Sequence, residues 1–112
     1  MFKIEAFLRP SALENVQSAL GELGIAGMSV TEIRGFGRQR GHKEVYRGAE
    51  YRIDFVPKIK IEVVVADAAH NQAISAIVEA AKSGKVGDGK VFSSPIQEAV
   101  RIRTGETGET AL

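Results

Sequence analysis

The chain has 112 residues, of which 44% are hydrophobic and 26% are charged, and this composition is typical of one soluble globular domain. The formal net charge is +1, so no overall field favours binding to nucleic acid or to a membrane surface. The absence of cysteine excludes disulfides, a thiolate nucleophile and a cysteine-ligated metal. Because the N-terminal residues lack a signal-peptide pattern and no apolar run approaches a membrane span, we expect a cytoplasmic protein without direct membrane insertion.

The first quarter of the chain predicts a strand followed by a helix. Apolar and polar side chains alternate over residues 2–8, which is the period of a strand. A helix then begins after Pro10, with Ser11 and Glu14 spaced as a capping box, and either Gly24 or Gly27 ends it. The side chains expected on its buried face are Leu13, Val16, Leu20 and Leu23.

The rest of the chain predicts three further strands and a second helix. Residues 28–34 and 58–65 read as strands, whereas residues 36–55 have little apolar periodicity and predict a long loop. A loop of nearly twenty residues in so small a domain is uncommon and is usually functional. Asp67 is expected to cap a second helix that Gly84 ends, with Ile74, Ile77, Val78 and Ala81 facing inward. The expected remainder is a strand over 90–94, a short fifth strand over 100–103 and a mobile tail over 104–112.

This order of elements, β-α-β-β-α-β, predicts an α+β fold of the ferredoxin-like type. Two helices would cover one face of the sheet, and the opposite face would carry Glu5, Phe7, Lys60, Glu62 and Val64. Because Phe7 and Val64 are apolar and no third helix is available, we expect that face to be buried against other copies of the chain.

A glycine-rich segment, residues 83–92, lies between the second helix and the next strand. Its three glycines allow positive φ, and successive backbone N–H groups in such a turn form a concave anion nest to which Lys90 adds a charge. The segment matches most of a Walker A pattern, but Val91 stands where Ser or Thr would be needed. Since it also runs helix–loop–strand rather than strand–loop–helix, we reject a P-loop nucleotidase and retain a phosphate cradle, with a plain glycine turn as the alternative.

A triphosphate needs several convergent cations besides backbone donors. Arg38, Lys90, Arg101 and Arg103 are the candidates, together with the amides of residues 87–90. Arg101 and Arg103 are two residues apart, so on a strand they would point the same way and could grip one phosphate chain. The alternative for such an isolated pair is a solvated strand face.

Three segments, residues 46–51, 83–92 and 101–106, together resemble the PII family of nitrogen-regulatory signal-transduction proteins, and the similarity extends along essentially the whole chain. The resemblance implies one domain over residues 1–112, with an effector loop at about 37–55, a phosphate loop at about 82–90 and a C-terminal loop at about 102–112. It also implies a homotrimer with nucleotide sites in the clefts between subunits, where the pair Arg101 and Arg103 reaches across from a neighbour.

The resemblance further implies that the chain binds ATP or ADP, Mg²⁺ and the effector 2-oxoglutarate. The nucleotide-binding residues implied are Phe7, Ser29, Gly35, Gly37, Arg38, Gln39, Glu62, Val64, Gly87, Asp88, Gly89, Lys90, Arg101 and Arg103. Those implied for 2-oxoglutarate are Gln39, Gly41, Lys58 and Gly87, with Gln39 also a Mg²⁺ ligand. The chain departs from the family pattern at Ser29, where Thr is usual, and at Ser93, where an apolar residue is common.

The implied output is regulatory rather than enzymatic. Family partners include ammonium transporters, modifying enzymes of glutamine synthetase, sensor kinases and arginine-pathway kinases, and Tyr51 matches a tyrosine that many relatives have nucleotidylylated. Ala49 stands where some cyanobacterial relatives carry a phosphorylated serine, so that modification is impossible here. Two alternatives are an ATP-hydrolysing enzyme, with Asp88 and Glu62 positioning a water, and a ferredoxin-like binder of RNA or small amino acids; the near-neutral charge disfavours RNA. His42 and His70 are each expected to face solvent.

Overall fold

The computed structural model describes residues 1–36 and 55–112, together with the backbone of residues 43–46 and 49–52. The strands are β1 (Phe2–Leu8), β2 (Ser29–Gly35), β3 (Lys43–Tyr46), β4 (Ala49–Arg52), β5 (Val56–Val65) and β6 (Lys90–Pro95). The helices are α1 (Leu13–Glu22) and α2 (His70–Ala81). Short 3₁₀ helices span Pro10–Ala12, Asp67–Ala69 and Gly108–Ala111.

Four of the strands form one antiparallel sheet in the order β2-β5-β1-β6. With the two helices, this order confirms the predicted α+β, ferredoxin-like fold. The predicted strands at residues 2–8, 28–34, 58–65 and 90–94 are confirmed, although β5 begins at Val56, two residues earlier than expected. Ile4 pairs with Val63 and Glu5 with Glu62, so apolar and polar side chains of β1 and β5 lie on opposite faces.

The core lies between the helices and one face of the sheet. Within the described residues every fully buried side chain is apolar, and burial of these side chains is the main stabilising term. β1 and β5 contribute Ile4, Ala6, Leu8, Ile59, Ile61, Val63 and Val65, and the helical side contributes Ala12, Val16, Leu20, Ala73 and Ile77. Of the helices in this part of the chain, none has the length and apolar character needed to cross a membrane.

The predicted helix N-caps are wrong, whereas one predicted helix end is confirmed. Ser11 and Asp67 both lie in 3₁₀ turns ahead of the helices, so neither side chain caps α1 or α2; Asp67 instead accepts a hydrogen bond from the N-terminal ammonium of Met1. Gly24, with φ of +78°, ends α1 as predicted, because a glycine adopts this left-handed conformation without a Cβ penalty. Val78 is 45% exposed, so its predicted inward orientation is wrong.

The segment predicted as a long loop contains a hairpin. β3 and β4 pair antiparallel, from Lys43 opposite Arg52 to Tyr46 opposite Ala49. The prediction failed because it relied on apolar periodicity, whereas a two-stranded ribbon is held by backbone hydrogen bonds and need not bury one face.

The C-terminal segment also differs from expectation. No fifth strand forms over residues 100–103; a single bridge joins Val100 and Thr107, and the backbone N–H of Arg101 donates to the carbonyl of Glu106 at 2.9 Å. The segment predicted to be a mobile tail is held by backbone hydrogen bonds, including one from Gly108 N–H to the Ala99 carbonyl at 3.0 Å.

Candidate functional site

The glycine-rich loop is fixed against the end of β1. Gly84, Gly87 and Gly89 all have positive φ, of +84°, +101° and +101°, as the sequence predicted. A Cβ at Gly89 would overlap the carbonyl oxygen of Phe7 and lie 2.8 Å from its carbonyl carbon. Only glycine therefore fits at this position, where the loop backbone touches the sheet.

The carboxylate of Asp88 folds back into the loop that carries it. Its Oδ2 accepts hydrogen bonds from the N–H groups of Ser83 and Gly84, each at 2.8 Å. Its Oδ1 accepts from the Ser83 hydroxyl and from Arg9 Nε, the latter at 3.4 Å. The hydrogen bonds from Ser83, supported by those from Gly84 and Arg9, hold the pKa of Asp88 well below its usual range. The carboxylate is therefore a fixed negative charge at neutral pH.

Two positively charged side chains, Arg9 and Lys58, hold the loop at Val86 and Gly87. Arg9, directly after β1, donates from Nη2 to the Val86 carbonyl, and Lys58 of β5 donates from Nζ to the Gly87 carbonyl at 2.7 Å. Partial burial lowers the pKa of Lys58, and the charge of Arg9 lowers it further while that of Asp88 opposes the shift. Three consecutive loop residues are thus tied to β1 and β5.

Arg9 is a functional candidate that sequence reasoning missed. Leu8 pairs with Ile59, so the residue after β1 must lie close to the residue before Ile59, which is Lys58. Once Lys58 was assigned to an anionic ligand, antiparallel register alone could have drawn attention to Arg9.

The sheet face opposite the helices brings together several of the residues implied for nucleotide binding. Phe7 pairs with Lys60, and Glu62 lies between Glu5 on one side and Ser29 on the other. Lys60 and Glu62 form an ion pair at 2.8 Å, which raises the pKa of Lys60 and lowers that of Glu62.

A second aromatic residue lies on this same sheet face. Phe92 packs edge-on against Phe7 with ring centroids 5.8 Å apart. Phe92 is 52% exposed, and it was not among the residues predicted to lie on this face.

The C-terminal arginines are not brought to the loop of their own chain. Arg101 Nη2 donates to the Leu112 carbonyl at 2.9 Å, and Arg101 Nη1 lies 3.5 Å from Glu106 Oε1. Arg103 is exposed. Within the described residues neither arginine forms a hydrogen bond or ion pair with the glycine-rich loop. Because no strand forms here, the strand-based argument that both point the same way is wrong.

His70 contacts two other side chains, whereas it was expected to face solvent. Its ring stacks on Phe2 with centroids 3.9 Å apart and planes at 15°, and its Nε2 lies 2.9 Å from Ser93 Oγ. Ser93, a departure from the family pattern, is therefore a hydrogen-bond partner that helps join α2 to β6.

The remaining predicted residues divide into those the structure locates and those it does not describe. Gly35, at the end of β2, is packed by Lys58, whose Cγ would lie 3.1 Å from a Cβ there. Val64 is half-buried opposite Lys3, and Lys90 is exposed at the start of β6. Tyr51 lies in β4, of which only the backbone is described. The other predicted residues lie outside the described part of the chain: Gly37, Arg38, Gln39, Gly41 and His42.

Comparison with known proteins assigns the chain to a family. The sequence profile described as "Nitrogen regulatory protein P-II" matches residues 1–106. The chain belongs to the nitrogen regulatory protein P-II family. Proteins of this name from Mesorhizobium japonicum, Rhodobacter capsulatus and Haemophilus influenzae are 59%, 58% and 55% identical to it, each over all 112 residues of both chains. P-II membership confirms the predicted resemblance and supports a role in nitrogen regulatory signalling.

Proposed function

We propose that this chain is a cytoplasmic homotrimeric sensor of nitrogen, carbon and energy status. It binds ATP or ADP together with 2-oxoglutarate and regulates nitrogen-assimilation proteins through the segment at about residues 37–55. The observation that carries the proposal is the glycine-rich loop, which Gly89 seats on β1 and which Arg9 and Lys58 grip from the sheet.

The loop is suited to the phosphates of a nucleotide, and the sheet face opposite the helices is suited to its base. Residues 87–90 offer backbone donors around two positive-φ glycines, and Lys90 adds a cation, a combination that binds phosphate. Phe7 supplies an aromatic surface on the open face, and its carbonyl faces Gly89. A nucleotide with phosphates on the loop could therefore place its base along the face that carries Phe7, Glu62 and Val64.

A dicarboxylate has its charge complement beside the same loop. Arg9 and Lys58 converge on the carbonyls of Val86 and Gly87, so two cations lie close together at one side of the loop, where a carboxylate would find charge-assisted donors. A carboxylate of 2-oxoglutarate would be a stronger acceptor for Lys58 than the Gly87 carbonyl is.

The proposed Mg²⁺ would depend mainly on oxygens of the ligands. Gln39, the predicted protein ligand, lies outside the described residues, and those described hold no cluster of three acidic or histidine side chains. Coordination chiefly by substrate phosphates is the usual mode for this ion.

A homotrimer accounts for two features of the single chain. No helix of the described residues covers the sheet face with Phe7, Phe92 and Val64, and an exposed apolar surface of this kind is suited to association. Arg101 and Arg103 do not bond to their own loop, so a neighbouring copy would supply them. Light scattering is expected to give three times the mass of the chain; a monomer at micromolar concentration would contradict an intersubunit site.

Calorimetry with ATP, ADP and 2-oxoglutarate, alone and combined, tests the ligands. 2-Oxoglutarate should bind tightly only with Mg²⁺ and ATP, because the γ-phosphate would supply oxygen ligands for the metal that ADP lacks. Equal affinity with ADP or with no nucleotide would argue against the proposal.

An ATP-hydrolysing alternative is disfavoured because both candidate carboxylates already have partners. Asp88 accepts hydrogen bonds from Ser83, Gly84 and Arg9, and Glu62 forms an ion pair with Lys60. Phosphate release at catalytic rates would favour that alternative.

The proposed partners are an ammonium transporter and nitrogen-metabolism enzymes or the enzymes that modify them. Tyr51 is the proposed modification site. A pull-down with the intact chain and with residues 43–52 deleted, each with ADP and with Mg²⁺-ATP plus 2-oxoglutarate, tests the effector segment. Partners should be lost on deletion and should change with ligand; the same partners in all four samples would refute the assigned output.

A further inference from the structure

We propose that Asp88 is a positioning residue whose carboxylate acts as a built-in anion and holds the glycine-rich loop in its ligand-binding shape through Ser83, Gly84 and Arg9. The ligand part of this inference rests on the proposed function. The hold on the loop itself is an independent statement about the fold.

The donors that meet at Asp88 come from two separate parts of the chain. Ser83 contributes its N–H and its hydroxyl, and Gly84 contributes its N–H, at the point where the chain leaves α2. Arg9 approaches from the end of β1. One carboxylate thus satisfies four donors and closes the loop into a ring that includes Lys85, Val86 and Gly87. The arrangement resembles an anion nest whose anion belongs to the protein.

In this geometry the side chain of Asp88 does not bind the ligand directly. Both of its oxygens are engaged by donors of the protein, and a carboxylate near phosphate would otherwise repel it. The side chain therefore acts through the backbone it fixes, which includes residues 87–90, and through Arg9, whose other guanidinium nitrogen binds the Val86 carbonyl. A loop held in shape before binding needs less ordering when the ligand arrives, and affinity rises accordingly.

The test removes the carboxylate and then returns a small one. Asp88→Ala deletes the internal anion, and formate is small enough to take its place among the four donors. ATP affinity of Asp88→Ala should fall at least about tenfold, since bonds from several donors to a charged acceptor are lost. Added formate should strengthen ATP binding to Asp88→Ala but weaken or leave unchanged that of the unaltered chain, where it can only compete with phosphate.

Two further variants make the result specific. Asp88→Asn keeps the size of the side chain and removes its charge, so it should also bind ATP weakly and should not respond to formate. Glu79→Gln removes a charge from an exposed site on α2 and should match the unaltered chain. If Asp88→Ala fails to fold, the decision falls to Asp88→Asn: unchanged ATP affinity in that variant would overturn the proposal.

An amide readout separates this inference from the proposed function. In ¹⁵N-resolved NMR spectra, the Ser83 and Gly84 amide signals should shift in Asp88→Ala and return towards their original positions as formate is added. Failure of those signals to move on substitution, or failure of formate to restore them, would overturn the proposal even if ATP binds. If the unaltered chain binds no nucleotide, the proposed function fails, while the formate titration still supports or overturns the role of Asp88 in the loop.

Discussion

Replacing Gly89 with alanine should be among the most damaging single changes in the chain. Gly89 has φ of +101°, and a Cβ there would overlap the Phe7 carbonyl oxygen, lie 2.8 Å from its carbon and 3.5 Å from Leu8 Cα. All three atoms belong to the backbone of β1, which is paired on both sides by β5 and β6. The strand cannot move aside without disturbing the centre of the sheet.

The expected loss in the free energy of unfolding has two separate causes, the backbone conformation and the overlap with β1. An alanine held at positive φ costs about 1–2 kcal/mol. Relief of the overlap requires the loop to leave β1, which would break the bonds that Arg9 and Lys58 make to it. We therefore expect a loss of at least about 3 kcal/mol in the free energy of unfolding.

The matched control is Gly84→Ala in the same loop. Gly84 has φ of +84° and nothing within 4 Å of a Cβ, so only the backbone term applies and the expected loss is about 1–2 kcal/mol. Denaturant unfolding of both variants, at one protein concentration, measures the difference. Equal losses for the two variants would show that the close approach to β1 is not what requires glycine at position 89. A stable Gly89→Ala chain that has merely lost nucleotide binding would show that the loop detaches without unfolding the sheet.

Three further predictions concern ligands and pH. Lys58→Met should abolish 2-oxoglutarate binding and leave ATP binding largely intact in calorimetry; retained 2-oxoglutarate affinity in Lys58→Met would exclude Lys58 from the site. Arg103→Ala should weaken ATP binding by roughly 1.5–3 kcal/mol, the scale of a charge-assisted hydrogen bond, and an unchanged dissociation constant would remove Arg103 from the site. The depressed pKa of Asp88 stabilises the fold fully above the pKa of the unfolded chain, and the stabilisation fades as pH falls through the lower folded value. The stability difference between the unaltered chain and Asp88→Asn should therefore be constant near neutral pH and shrink below about pH 4; a difference that grows on acidification would contradict the sign.

Sheet and core were predictable because their signals are periodic and local. Alternation along β1 and β5 identified both strands and the buried face, and the side chains it selected are those the structure buries. The helix caps were not predictable, because a Ser or Asp before a helix caps it only if the first turn is α-helical. At Ser11 and Asp67 the chain forms 3₁₀ turns instead, and the N-terminal ammonium claims the Asp67 carboxylate.

The site was predictable where chemistry follows from residue type, and unpredictable where it follows from register. The positive-φ glycines of the loop could be read from sequence, because few other residues tolerate that conformation. The orientation of the Asp88 side chain could not, because an aspartate in a glycine loop can face a ligand, a metal or the protein. Arg9 was missed for a different reason: its nearness to Lys58 follows from the register of β1 and β5, which the sequence analysis did not consider.

The C-terminal arginines are the part of the proposed nucleotide site for which a neighbouring copy would be needed. Arg101 is held by Glu106 and by the Leu112 carbonyl, contacts among exposed or half-exposed groups that contribute little stability. A phosphate offers a guanidinium two charged oxygens in place of one carboxylate and one carbonyl, so the exchange is favourable wherever a phosphate comes within reach. In the separate chain none of the described contacts brings Arg101 or Arg103 to the loop. A neighbouring copy that completes the site would thus make nucleotide binding and subunit association mutually reinforcing, because each ligand would bridge two chains.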